Sequence, residues 1–76
     1  MSKDNLLINI VSVNDFLLGD EKCSVEQRNE VIDTLVDINQ KKGRQWIFSH
    51  DSKGYIIDEY NEYNDFVKTY TFKNES

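Results

Sequence analysis

A chain of 76 residues with a formal net charge of −5, 38% hydrophobic and 30% charged residues, and four Phe, four Tyr and one Trp has the composition of one small folded domain, 1–76, rather than of a disordered tail. Its acidity argues against ordinary duplex binding, which depends on Lys and Arg to neutralise phosphates. No apolar run is long enough for a membrane span, no cleavage-site pattern follows the start, and a lone Cys23 forbids an intramolecular disulfide, so a cytoplasmic protein without membrane contact is expected.

In chain order, the Ile-, Val- and Leu-rich stretch Leu6 to Val13 predicts a largely buried first strand. Asn14 to Lys22 reads as a strand end or short helical turn running into a loop around Gly19 and Asp20. Ser24-Val25-Glu26-Gln27 matches a capping box, with the serine accepting from the third helical amide and the glutamine reaching back. Lys41, Lys42 and Gly43 supply a closing signal, which predicts a helix from about Val25 to Lys42. The alternation through Trp46 and Phe48, the turn residues Asp51-Ser52-Lys53-Gly54, and then Tyr55, Ile56 and Ile57 predict a hairpin. Pairing Asp51 with Tyr55 sets Trp46 across from Tyr60 and His50 across from Ile56. One face then carries Trp46, Phe48, Ile56 and Tyr60, and the other Ile47, Tyr55 and Ile57. A loop at Asn61 to Asp65 and a final strand over Phe66 to Lys73 complete an α+β domain of order β-α-β-β-β, with one amphipathic helix on an antiparallel sheet.

The sequence offers little material for catalysis. Cys23 and His50 stand alone without metal-ligand spacing, and Gly19, Gly43 and Gly54 form no phosphate-binding motif. No cofactor and no metal are expected, and the reading is non-enzymatic. At 100° per residue, Glu26, Glu30, Asp33 and Asp37 fall within an arc of about 60°, opposite Val25, Val31, Ile32, Leu35, Val36 and Ile38. Such a stripe is either a solvated face or a surface that docks on cations or imitates nucleic-acid phosphates. Carboxylates four residues apart repel by some tenths of a kcal/mol, which weakly favours a purpose. Asp58, Glu59, Glu62 and Asp65 extend the surface if the segment after the hairpin lies beside the helix.

Aromatic side chains give a second candidate surface. Trp46, Phe48 and Tyr60 form a contact patch for a protein partner or a homodimer if they remain exposed. They are ordinary core if Phe16 to Leu18 fold over the second sheet face. A single-stranded RNA platform needs basic surroundings, and only Lys41, Lys42 and Arg44 lie near. The sequence therefore points to a protein partner with a basic surface and no direct nucleic-acid contact, with a homo-oligomeric module as the alternative. Eight Asn and seven Lys against two Arg, with no Pro, suggest an AT-rich source such as a low-GC bacterium, its phage or a mobile element, where acidic inhibitors and regulators of this size are at home.

Overall fold

Apolar residues that recur every third and fourth position bury one helix stripe, and those that alternate bury one sheet face. Both patterns converge here on one interior. The computed structural model describes residues 9–74 as helices α1 (Ile10–Leu18) and α2 (Val25–Asn39) followed by strands β1 (Gln45–Asp51), β2 (Gly54–Tyr60) and β3 (Phe66–Lys73). The strands form an antiparallel sheet in the order β1-β2-β3. The fold is α+β, and among the described residues it has two helices in place of one and three strands in place of four.

The predicted first strand is the main correction. Ile10 to Val13 are helical, and Leu6 to Ile8 lie outside the described residues. Asn9 Oδ1 accepts from the Val11 amide at 2.8 Å and so caps the first turn of α1. Once the frame is helical, Ile10, Val13 and Leu17 share a stripe, with Val13 and Leu17 buried. The β-branched run favours a strand locally, and tertiary burial of this stripe overrides it.

α2 begins as predicted, since Ser24 Oγ accepts from the Gln27 amide at 3.0 Å. It ends three residues earlier than predicted, at Asn39, and Gly43, with φ of +76°, sits in the turn beyond. Only half of the capping box forms, because the Gln27 side chain donates to the Lys73 carbonyl at 2.9 Å instead of reaching back to Ser24. Val31, Leu35 and Ile38 are fully buried, whereas Val25 and Val36 are 62% and 38% exposed, so the apolar face of α2 is narrower than its sequence suggests.

The hairpin forms with its register shifted by one. Asp51 pairs with Gly54, His50 with Tyr55 and Trp46 with Glu59, leaving a two-residue loop of Ser52 and Lys53. Asp51 Oδ1 accepts from the amides of both Lys53 and Gly54 and holds this tighter turn. Gly54 is required there, since a Cβ would meet the Phe72 carbonyl oxygen at 2.1 Å. A one-residue slip exchanges the faces of one strand against the other. Trp46 and Phe48 therefore share the inner face with Tyr55, Ile57 and Glu59, all five buried. Asn61 to Asp65 form the predicted loop, with Asn61 Oδ1 accepting from the amides of Tyr63 and Asp65, and β3 has the predicted limits.

Both helices cover the same sheet face. Phe16 of α1 lies edge-on to Phe48 at 5.9 Å and to Tyr55 at 6.4 Å between ring centroids, within the core that includes Leu35, Ile38 and Trp46. The Trp46 indole N–H donates to Asn39 Oδ1 at 2.9 Å, which ties the end of α2 to the start of β1. Among the described residues no helix lies over the opposite sheet face, where Ile47 is 51% and Phe66 59% exposed. Neighbouring positions on β1 should thus respond oppositely to truncation. Phe48→Ala should cost about 3–5 kcal/mol of stability and Ile47→Ala less than about 1 kcal/mol, as read by chemical denaturation; similar costs would contradict this assignment of faces.

Candidate functional site

The acidic stripe of α2 survives folding as a surface. Glu26, Glu30, Asp33 and Asp37 are all exposed, on the side of the helix away from Val31, Leu35 and Ile38. Among the described residues, ion pairs form only between Glu59 and the cations Lys41 and Arg44, so no lysine or arginine pairs with the stripe.

Glu59 does not belong to that surface. Its side chain is fully buried on the inner face of β2, where Arg44 Nη1 donates to Oε2 and the Tyr70 hydroxyl donates to Oε1 at 2.8 Å. Lys41 Nζ stands 3.8 Å from Oε2. Burial alone would raise the carboxyl pKa, but the Tyr70 and Arg44 bonds and the nearby Lys41 charge outweigh it and hold Glu59 below its ordinary value. The expected extension of the acidic face by Glu59 is thus replaced by a neutralised internal charge that anchors the α2–β1 turn to the sheet. Asp58 points to the other face, where its Oδ1 accepts from the Thr69 hydroxyl at 2.8 Å.

A second polar group lies where the α1–α2 loop meets the hairpin. The Tyr55 hydroxyl donates to Asp20 Oδ2 at 2.6 Å, and Asp20 Oδ1 accepts from the Lys22 amide at 3.0 Å. The Tyr55 bond, and then that of Lys22, hold Asp20 below its ordinary value. Burial, together with the Asp20 bond, pushes Tyr55 far up. Burial and the Asp20 charge also raise the Cys23 thiol, against the pull of a Tyr55 bond and of Arg28, which disfavours the nucleophilic thiolate. His50 lies against Phe16, with ring centroids 4.4 Å apart. Phe16, Asp20, Lys22 and His50 border a broad, shallow depression that also includes Asp15, Glu21 and Asp51. No group of three or more His, Cys, Asp or Glu side chains among the described residues is placed to hold a metal ion.

The aromatic patch read from the sequence separates into two environments. Trp46 and Phe48, 4% and 5% exposed, are core and cannot form a contact surface. Tyr60 lies on the uncovered sheet face, edge-on to Phe66 at 6.0 Å. Ile47 and Phe66 complete that exposed strip, and Ile56, partly exposed, lies on the same face toward the hairpin turn. The residues missed were thus Ile47 and Phe66. The signal that could have found them was the two-residue turn, which fixes register by itself.

No family model matches this chain, and neither the curated proteins nor the solved structures provide a match.

The lowered carboxyls and raised hydroxyls set the pH response. Glu59 and Asp20 titrate below their unfolded values, so the stability they contribute is present above pH of about 4.5 and is lost as pH falls through their folded values. Tyr55 and Tyr70 titrate above theirs, so stability declines as pH rises beyond about 10. Glu59→Gln should cost about 1.5–3 kcal/mol near neutrality through its weakened charged hydrogen bonds and should flatten the acid limb of a melting-temperature profile. An unchanged acid limb would mean that folding does not lower the Glu59 pKa.

Proposed function

We propose that this protein is a non-enzymatic binding module whose α2 face docks on a basic surface of a protein partner. The observation that carries this reading is the set of four exposed carboxylates on one helical arc, with no cation among the described residues paired to any of them. On an isolated helix such a row is self-repelling, and a cationic partner converts that cost into attraction and faster encounter. The size, the acidity and the AT-rich composition suit an acidic inhibitor or regulator of phage or mobile-element type. By presenting carboxylates where a nucleic acid would present phosphates, such a protein would act as a nucleic-acid mimic and occlude a nucleic-acid-binding surface of its partner. The setting would be cytoplasmic; no helix among the described residues is long and apolar enough to cross a membrane.

A second reading rests on the uncovered sheet face. Ile47, Tyr60 and Phe66 form an apolar strip on which only Asp58 places a carboxylate, and that one is bonded to Thr69. Two copies could associate there without bringing their acidic helices together, which would make the protein a homo-oligomeric module.

The two readings respond to different substitutions. Triple charge reversal at Glu30, Asp33 and Asp37 should leave folding intact, since all three are exposed, and should reduce capture of the partner by about tenfold or more, with wild-type capture weakening as salt is raised. A captured partner indifferent to both changes would remove the electrostatic reading. Association through the sheet face predicts a concentration-dependent dimer in sedimentation that Phe66→Lys abolishes, and a strictly monomeric profile would end that alternative.

A further inference from the structure

The β2–β3 pairing determines which backbone groups of β3 are free. The Asn74 amide donates to the Lys53 carbonyl at 2.8 Å, so residue 74 faces β2. Backbone groups alternate in direction along a strand, and those of Phe72 and Tyr70 therefore face β2 as well. Those of Thr71 and Thr69 face away. β3 is the last strand of the sheet, so these outward groups meet no further strand among the described residues. The Lys73 carbonyl points to the same open side, and there the Gln27 side chain of α2 donates to it at 2.9 Å.

That bond also locates the acidic helix. The first turns of α2 lie by the C-terminal end of β3, where Glu26, Gln27 and Glu30 share a small depression with Lys22, Ser24 and Lys73. The stripe continues from there through Asp33 to Asp37. At that end, burial and the Glu59 bond raise the Tyr70 hydroxyl, and Asp37 is close enough to add to the effect. Among the described residues, the edge of β3 is thus unpaired and has the acidic helix near it at Lys73 and at Tyr70.

Building on the α2 reading above, we propose that the partner docks as an extended basic segment, adding a fourth strand to β3 and laying its cations beside Glu30, Asp33 and Asp37. Every second side chain of an added strand points to the helix side. There it lies next to Tyr70 and Phe72, with Lys68 beside Tyr70, and the carboxylate row favours lysine or arginine. The alternate side chains extend the outer face beyond Thr69 and Thr71 and favour apolar groups. A second copy of this chain fits the edge less well, because a two-fold pairing of β3 strands would bring two acidic helices toward each other.

The test uses the full chain at low salt and a capped peptide of alternating Lys and Val, with amide hydrogen exchange read residue by residue. Binding should slow exchange at Thr69 and Thr71, and combined Glu30→Lys and Asp33→Lys should weaken it by about tenfold or more. A peptide N-methylated at every residue, so that neither backbone edge can donate, should not bind. If the methylated peptide binds equally well and still responds to charge reversal, strand addition is overturned while the acidic docking face stands. Saturation without slower exchange at Thr69 and Thr71 likewise overturns strand addition. Failure of the Lys and Val peptide to bind in either form removes both. Equal binding of a Glu and Val peptide overturns the choice of a basic occupant. Protection of Thr69 and Thr71 that rises with protein concentration alone identifies a second copy as the occupant and overturns the proposal.

Discussion

The β1–β2 register governs the rest of the structure. With Asp51 opposite Gly54, the inner face of the sheet collects Trp46, Phe48, Tyr55 and Ile57, enough apolar area for two short helices to cover. Paired one residue later, β2 would turn Ile56 and Tyr60 inward and would expel Tyr55, Ile57 and Glu59. The core aromatic contacts of Tyr55 and the anchoring charge of Glu59 would be lost together. A small protein has little surplus with which to tolerate such a change, and the Asp51 carboxylate, which accepts from two loop amides, acts at the point where the choice is made.

That register also separates the charges. Glu59 is drawn inside and neutralised by Arg44 and Lys41, which removes two of the nine basic side chains from free surface duty. Among the described residues, the exposed carboxylates of α2 are left without a paired cation, and the outer sheet face around Ile47, Tyr60 and Phe66 carries little charge. The protein thus presents an anionic helix and an apolar sheet as distinct surfaces, with the β3 edge between them. Four of the fourteen acidic side chains line one face of α2, and others, Asp15, Glu21, Asp51, Glu62 and Asp65 among them, are exposed elsewhere.

Much of this arrangement was legible in the sequence. Ser24 announced the start of α2, Asn61 to Asp65 announced a loop, and heptad-like spacing placed Glu26, Glu30, Asp33 and Asp37 on one solvent-facing arc. Other features depended on interactions at a distance. Ile10 to Val13 have strand-like side chains, and their helical state comes from the Asn9 cap and from burial against residues far along the chain. Gln27 fits a capping box, yet the carbonyl it meets belongs to residue 73. The inner position of Trp46 followed from a turn shorter by one residue, a difference of local geometry that alternation alone does not reveal because both registers keep the period of two.

The Tyr55–Asp20 bond has a consequence for the order of assembly. The three strands form a meander of local hairpins, whereas this bond joins residues 35 apart in sequence and fastens the α1–α2 loop to the start of β2. Contacts between distant residues carry a greater loop-closure entropy than neighbouring ones, so the latch belongs to the docking of the helices onto a sheet already paired. It acts as a late fastening: it holds the finished molecule shut more than it guides the chain there, and weakening it would shorten the lifetime of the folded state while leaving the speed of its formation nearly untouched.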